Sequence, residues 1–195
     1  MKKTITMDEL DEALALHRDW VNSNGKNGVR ADFSDVDFAH SDLYVPFLAG
    51  VDFSQTICRG ANFSGLKMDD YARFWACDLS GACFAGASVD EANFVDTDLS
   101  HADFSGARLC GASFRSAKLD GCNFSKVFAP RADFSSVSAH DADFSGAHLP
   151  RAKTLGADFS GANLMAADLG GVDFSGAKLD GASIDKSKLD PWKIE

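Results

Sequence analysis

The stretch from Ala92 to Ser125 decides the fold, and it reads ANFVDTDLSHADFSGARLCGASFRSAKLDGCNFS. A large apolar residue, phenylalanine or leucine, recurs at every fifth position, and a small residue stands two places before each one. This period differs from the 3.6 residues of an amphipathic helix and from the two residues of an amphipathic strand. A fixed internal period indicates a repeat architecture, and the rest of the chain is interpreted against it.

The same period covers most of the 195 residues. With the large residue taken as the centre of each pentapeptide, centres run from Phe33 to Met68, skip one residue near Tyr71, and resume from Phe74 to Leu189. The centre and the residue two before it are expected to face inward, and the residue between them outward, as in a short strand. The fifth position, often glycine, is expected to turn a corner with a positive φ.

Four sides per coil, or twenty residues, place most of the central phenylalanines in two opposite columns. One column begins with Phe33 and Phe53, and the other begins with Leu43 and Phe63. Stacked rings on two walls, with smaller aliphatic side chains on the other two, would fill a square interior. We therefore expect about eight four-sided coils. Beyond the extra residue near Tyr71, we expect no insertion and no projecting loop.

Residues Ile5 to Val21 are predicted to form a short α-helix. Thr6 is a favourable N-cap, and Glu9 three places later completes a capping box. Because the terminal units of a repeat array need caps, this helix is expected to cover the first coil. The alternative is a partner-binding element. His17 falls on the apolar face of the helix, where we expect it to pack or cap and not to bind a ligand.

The motif Ala-(Asp/Asn)-(Phe/Leu)-Ser-Gly, as at 102–106 and 157–161, resembles the pentapeptide repeat family, and the match spans about residues 31–189. The resemblance implies an all-β solenoid, the right-handed quadrilateral β-helix. On this basis the chain divides into three parts. Residues 1–29 form a capping helix and turn, residues 30–189 the β-helix, and residues 190–195 a short C-terminal plug.

The formal net charge of -10 argues against direct nucleic-acid binding and against binding to an anionic membrane surface. No apolar run approaches the length of a transmembrane helix, and the N-terminus lacks the apolar core of a signal peptide. We therefore expect a cytoplasmic protein. The five cysteines lack metal-ligand spacing and are expected to be free thiols.

No motif in the sequence predicts an enzyme. The histidines and cysteines do not have the spacing of a metal site, and no catalytic constellation or phosphate-binding loop is present. We therefore expect no cofactor and no metal. The aspartates before the centres are expected to accept hydrogen bonds from nearby backbone amides and not to act as catalytic carboxylates.

Two classes of function remain open. The first is a non-enzymatic, monomeric scaffold that binds another protein. The second is implied by the resemblance, because some members of the family mimic B-DNA, bind DNA gyrase and other type II topoisomerases, and so protect gyrase from quinolones. Twelve of the 32 outward positions are aspartate, which agrees with mimicry. Against it, duplex DNA as long as the expected rod of roughly 38 Å would carry about 22 charges, far more than this chain.

Three exposed aromatic residues are the candidate partner surface. Phe47 and Phe128 are predicted to point outward on one side, together with the basic residues Lys67 and Arg108, while Trp75 is predicted to be exposed on another side. Outward phenylalanines are unusual at these positions of the repeat. The alternatives are that corner loops or the termini cover them, or that they are isolated apolar surface residues.

Overall fold

The computed structural model describes residues 3–33, 36–38, 52–68 and 71–185. Within these residues there is one α-helix, α1 (Met7–Asn22). From Asp52 onward the backbone repeats a single bridged residue followed by a two-residue turn. Each side of the described coils therefore contributes a single bridged residue and does not form a strand of two or more residues.

Parallel bridges join each side of the solenoid to the same side of the next coil. Arg73 bridges Asn93, twenty residues later, and every later bridge has the same offset. Each of these coils is therefore four pentapeptides long, as predicted. The bridge between Lys67 and Ser88 has an offset of 21. The extra residue consequently lies between Lys67 and Arg73, where the sequence period is interrupted.

The four sides are numbered here as faces, each defined by its outward, bridged residues. Face 1 carries Asp52, Arg73, Asn93, Ser113, Asp133, Lys153 and Asp173. Face 2 carries Asp32, Ile57, Asp78, Asp98, Lys118, Ser138, Asp158 and Lys178. Face 3 carries Asp37, Asn62, Cys83, Asp103, Asn123, Asp143, Asn163 and Ser183. Face 4 carries Lys67, Ser88, Arg108, Phe128, His148 and Asp168.

Phenylalanine rings from faces 1 and 3 fill the interior. Phe84 and Phe104 on face 3 stack with ring centroids 4.8 Å apart and planes 3° apart. Phe94 on face 1 meets both rings edge-on, at centroid distances of 5.7 and 5.6 Å. All three side chains are completely buried. Stacking along each wall and edge-to-face contact across the interior are the two preferred arrangements of aromatic pairs, and the repeat uses both.

The first coil departs from the predicted register. Asp32 bridges Ile57, and Asp37 bridges Asn62, so both offsets are 25 residues. The chain takes fifteen residues to pass from Asp37 on face 3 to Asp52 on face 1, whereas the next coil takes eleven, with its extra residue, and all later coils take ten. The expectation that one extra residue is the only insertion is therefore wrong.

The longer first coil also changes which phenylalanines share a column. Phe38, and not Leu43, stacks on Phe63, with centroids 4.6 Å apart. Phe33 stands on the wall of face 2 and meets Phe53 edge-on at 5.8 Å, so it does not stack at the top of the Phe53 column as predicted. Leu43 lies outside the described residues. From Phe53 and Phe63 onward, the two opposite phenylalanine columns follow the prediction.

The N-terminus of α1 has the predicted capping box. The Glu9 amide donates to Thr6 Oγ1 at 3.2 Å, and the Thr6 amide donates to Glu9 Oε2 at 2.8 Å. These bonds satisfy two of the amides that a helix leaves unpaired at its start. The helix begins two residues later than predicted because Thr6 is extended, with ψ of 164°, and stands outside it as the N-cap.

His17 fastens α1 to the solenoid. Its side chain is buried, with Nε2 2.8 Å from the carbonyl oxygen of Ser54, while the Ala31 amide donates to Nδ1 at 3.2 Å. The ring therefore donates through Nε2 and accepts at Nδ1. Both nitrogens are used for backbone contacts, which is the packing role expected from the sequence.

Candidate functional site

A ladder of unlike side chains runs along face 4. Arg108, Phe128, His148 and Asp168 occupy the same outward position in four successive coils. The Arg108 guanidinium lies over the Phe128 ring, 5.3 Å from its centroid. The His148 ring stacks on Phe128 with centroids 4.9 Å apart and planes 6° apart. Since Arg108 belongs to the preceding coil and His148 to the following one, both faces of the Phe128 ring are covered.

Carboxylates hold the two ends of this ladder. Arg108 Nη2 donates to Asp90 Oδ2 at 2.9 Å, and His148 Nδ1 lies 2.8 Å from Asp168 Oδ2. Asp90 also accepts the backbone amide of Cys110 at 2.8 Å, which fixes its own position. Phe128 nevertheless remains 37% exposed. The ladder is thus a preformed surface that presents the edge of an aromatic ring between two nitrogen-rich side chains.

Three further basic residues stand at the corners beside the ladder. Lys126 lies at the corner between faces 3 and 4, while Arg131 and Arg151 occupy the corner between faces 4 and 1 in successive coils. All three are exposed, with φ of 57°, 61° and 59°. This conformation costs an L-residue about 1–2 kcal/mol. The sequence signal for the two arginines was the pair Pro-Arg at 130–131 and 150–151, where Ser-Gly is typical, and sequence reasoning missed it.

The structure separates the predicted partner residues. Phe128 lies on face 4, whereas Trp75 follows Phe74 at the corner between faces 1 and 2, two coils earlier. Trp75 is 41% exposed, and its Nε1 donates to Asp96 Oδ2 at 3.3 Å. Phe47 lies outside the described residues. Face 1 therefore stands between Trp75 and Phe128, and the two do not form one surface.

Most aspartates before the centres serve the local backbone. Asp103 Oδ1 accepts the amide of Ser105 at 2.9 Å, and Asp143 Oδ1 accepts the amide of Ser145 at the same distance. The same bond recurs from Asp52 to Asp173. These carboxylates cap the turn that follows each centre, which is the expected structural role.

One cluster that the sequence did not predict lies beside face 2. His140 Nδ1 is 2.9 Å from Asp120 Oδ1, and His140 Nε2 is 3.4 Å from Asp158 Oδ2. Ser138 Oγ donates to Asp120 Oδ1 at 2.6 Å. The hydrogen bond to Asp120 raises the pKa of His140 above its ordinary value. The serine hydroxyl is already engaged by a carboxylate, so the cluster is an ion-pair network and not a nucleophile with its base.

The three buried cysteines are packed inside the solenoid. Cys58, Cys77 and Cys122 are buried, and all five are free thiols, as expected. Burial raises the pKa of Cys77 to about 11 and that of Cys122 to about 12. Because the thiolate is the reactive form, these thiols are inert at neutral pH. Cys77 Sγ donates to the carbonyl oxygen of Phe53 at 2.6 Å and so acts as a packed polar group.

A groove of about 540 Å³ separates α1 from face 1. Its walls carry charges of both signs, with Asp11 and Arg18 on the helix and Asp52 and Arg73 on face 1. Asp52 and Arg73 already pair with each other at 3.5 Å. The lining brings together no acid, base or nucleophile in a catalytic arrangement.

In the part of the chain that the structure describes, no three side chains of His, Cys, Asp or Glu are grouped so that they could hold a metal ion. Over the same residues, no helix has the length and apolar character needed to cross a membrane.

Comparison with known proteins places the chain among repeat proteins. The family model described as pentapeptide repeats (8 copies) matches residues 77–115, 92–128, 112–149 and 157–190. No curated protein matches the chain.

Three solved structures are similar to this chain. HetL, a pentapeptide repeat protein involved in heterocyst differentiation regulation from the cyanobacterium Nostoc, is 28% identical over 78% of each chain, with a TM-score of 0.39. A pentapeptide repeat protein from the thylakoid lumen of Arabidopsis thaliana is 31% identical over 51% of this chain and 66% of its own, with a TM-score of 0.41. A trypsin-treated form of QnrB1, a plasmid-mediated fluoroquinolone resistance protein, is 22% identical over 82% of this chain and 92% of its own, with a TM-score of 0.39.

The family matches together cover more than half of the chain, and the parallel bridges repeat every four pentapeptides through the matched region. The chain therefore belongs to the pentapeptide repeat family, whose fold is the right-handed quadrilateral β-helix.

Proposed function

We propose that this protein is a non-enzymatic scaffold that binds another protein through face 4. The observation that carries the proposal is the Phe128 ring, which is 37% exposed yet held between Arg108 and His148. A few residues dominate the binding energy of most protein interfaces, and aromatic and arginine side chains are enriched in interfaces. Here both are present at the centre of one face.

The rigidity of the ladder supports this function. Phe128, its two stacking partners and the flanking carboxylates are all fixed by contacts already made in the free protein. Binding then orders few additional side chains, so little conformational entropy opposes it. The backbone beneath is equally fixed, because the Phe128 amide donates to Ala107 in the preceding coil at 2.9 Å.

The distribution of charge favours this scaffold over a DNA mimic that binds gyrase. A DNA mimic needs a continuous anionic surface, as duplex DNA carries one charge per about 1.7 Å of its axis. On face 2, Asp98 pairs with Lys118 at 3.4 Å and Asp158 pairs with Lys178 at 3.0 Å. Face 4 presents bases together with Phe128. The negative charge of the outward aspartates is therefore largely neutralised on face 2, and on face 4 basic side chains take their place.

Affinity capture from the native host tests the proposal. The wild-type protein, the variant Phe128→Ser and the control Asn123→Ser on face 3 are each used as bait. Both substitutions are compatible with the fold, because Ser88 and Ser183 occupy the same columns. We expect at least one partner that is retained by wild type and Asn123→Ser and lost by Phe128→Ser. Partners retained equally by all three baits would contradict the proposal.

A gyrase supercoiling assay, with and without ciprofloxacin, tests the competing function. We expect no inhibition and no drug protection when this protein is titrated, in an assay where a gyrase-binding relative is active. Inhibition or protection at low micromolar concentration, unaffected by Phe128→Ser, would favour the DNA mimic instead.

A further inference from the structure

We propose that the basic surface around Phe128 binds an acidic segment of its protein partner, with aspartate or glutamate carboxylates against Arg131, Arg151 and the ladder. This inference rests on the proposed function and specifies the chemistry of the partner. The basic surface is defined as Arg108, Lys126, Phe128, Arg131, His148 and Arg151.

The ladder presents side-chain edges to a partner, and the edges of Arg108 and Phe128 are electropositive. The two faces of the Phe128 ring are covered by Arg108 and by His148. What remains exposed is the ring edge, which carries the positive part of the aromatic quadrupole. The guanidinium of Arg108 offers N–H groups beside it. An oxyanion is the ligand that matches such a row of edges.

No carboxylate in the described residues pairs with the guanidinium groups of the two corner arginines. Arg131 and Arg151 have positive φ, and the same corner is occupied by Gly111 one coil before and by Gly171 one coil after. Glycine adopts this conformation without steric cost, and the L-residue Glu91 also adopts it at the same corner, with φ of 58°. Arg131 and Arg151 are thus two exposed cations on the same corner of successive coils, without an ion-pair partner among the described residues, and both are available to a ligand outside the chain.

The basic surface is set within an otherwise acidic chain, which favours a short acidic ligand over a long polyanion. The whole chain has a net charge of -10, yet the segments 125–131 and 145–151, which build two successive coils of face 4 and its corners, contain no carboxylate. Carboxylates stand at both ends of the ladder, with Asp90 on Arg108, Glu91 at the corner beside Gly111, and Asp168 on His148. A short acidic segment fits between them, while the rest of the surface repels polyanions.

The geometry favours an acidic polypeptide over nucleic acid. Single-stranded nucleic acid binds by stacking its bases on exposed aromatic faces along an extended basic groove. Here the aromatic faces are covered, and the basic surface spans only a few coils, or roughly 15 Å along the axis. A carboxylate needs neither an open ring face nor a long groove.

Fluorescence anisotropy with a labelled peptide of alternating Glu and Ser tests the inference on the full-length protein. The test variant is Arg131→Gly with Arg151→Gly, which gives both corners the residue found at Gly111 and Gly171. The charge-matched control is Lys26→Ser with Arg115→Ser, two exposed bases away from face 4. We expect wild type and control to bind alike, and the test variant to bind about tenfold more weakly, as two exposed ion pairs imply.

A merely structural role for the arginines is excluded in the same samples. Urea unfolding should show the test variant to be at least as stable as wild type, because glycine suits the corner conformation. Binding should also weaken as salt rises past about 0.15 M, where the Debye length is about 8 Å.

Three results would overturn the inference. The first is that a peptide of alternating Gln and Ser binds as well as the acidic peptide. The second is that the test variant binds the acidic peptide with wild-type affinity. The third is that an oligothymidylate, or vesicles containing phosphatidylserine, bind more tightly than the acidic peptide. If any of these is found while capture of a host partner still depends on Phe128, the scaffold function stands and only the acidic partner is excluded. If capture is indifferent to Phe128, the scaffold function itself fails.

Discussion

Replacing Phe104 by leucine should destabilise the protein far more than the same change at Phe174. Both side chains are buried, so the loss of transferred apolar area is similar at the two sites. Their aromatic contacts differ. Phe104 stacks on Phe84 at 4.8 Å and on Phe124 at 4.9 Å, and two rings of face 1 meet it edge-on. Among the described residues, Phe174 meets only Phe159, at 6.0 Å.

The magnitude follows from counting ring pairs. Each aromatic pair contributes about 0.5–1.5 kcal/mol beyond area burial. Phe104→Leu removes four pairs and Phe174→Leu removes one, so the difference in the free energy of unfolding should be about 3 kcal/mol. Leucine itself is tolerated in these columns, because Leu164 continues the wall of Phe144 in a buried position. The comparison therefore measures ring contacts and not a steric clash.

Equilibrium unfolding in urea, followed by circular dichroism, measures both variants against wild type. The two variants should have similar m-values, since the surface exposed on unfolding is the same. Equal destabilisation of Phe104→Leu and Phe174→Leu, within about 0.5 kcal/mol, would refute the reasoning. It would mean that the interior is held by apolar burial alone, and that the arrangement of the rings contributes nothing further.

Three other predictions follow from the structure. Thr154→Phe should destabilise by about 1–3 kcal/mol, because Phe159 already fills that layer, and Phe159→Leu added to it should restore urea stability. His140→Gln should lower the melting temperature at pH 5 and leave it unchanged at pH 9. The pKa of His140 is raised by Asp120, so its stabilising contribution is complete below the unfolded-state value and disappears as pH rises through the folded one. Gly106→Ala should cost about 1 kcal/mol in urea unfolding through its φ of 64° alone, since an added Cβ meets no atom within 4 Å.

The periodic part of the fold could be predicted because its signals are local. A large residue at every fifth position, with a small residue two places before, predicts the side and the corner, and the two opposite phenylalanine columns predict the four-sided coil. The capping box of Thr6 and Glu9 is likewise contained within four residues. The single extra residue between Lys67 and Arg73 is visible because it shifts the phase of the period.

The register of the first coil could not be predicted for a physical reason. The insertion between Asp37 and Asp52 has the length of one pentapeptide. Such an insertion leaves a large apolar residue at every fifth position, so the pattern is identical with and without it. Only contacts between coils distinguish the two registers, and the stacking of Phe38 on Phe63 supplies that contact.

The candidate site could be predicted from the sequence only in part, for a related reason. Phe128 could be placed outward from the pattern, and Arg108 and His148 could be placed on the same side. The covering of both ring faces depends on side-chain geometry that no spacing encodes. Arg131 and Arg151 were hidden because corner positions vary throughout the chain, and their isolation from carboxylates is a three-dimensional property.

Departures from the repeat have different meanings inside and outside the solenoid. Thr154 interrupts the phenylalanine column of face 1, but Phe159 on the adjacent wall fills the space and Thr154 Oγ1 donates to the carbonyl oxygen of Asp173. That departure is compensated within the core. Arg131 and Arg151 also depart from the repeat, and among the described residues neither guanidinium group pairs with a carboxylate. Since folding depends most on the inward positions, we expect an exposed departure whose charge has no partner within the chain to mark the binding surface of a solenoid of this kind.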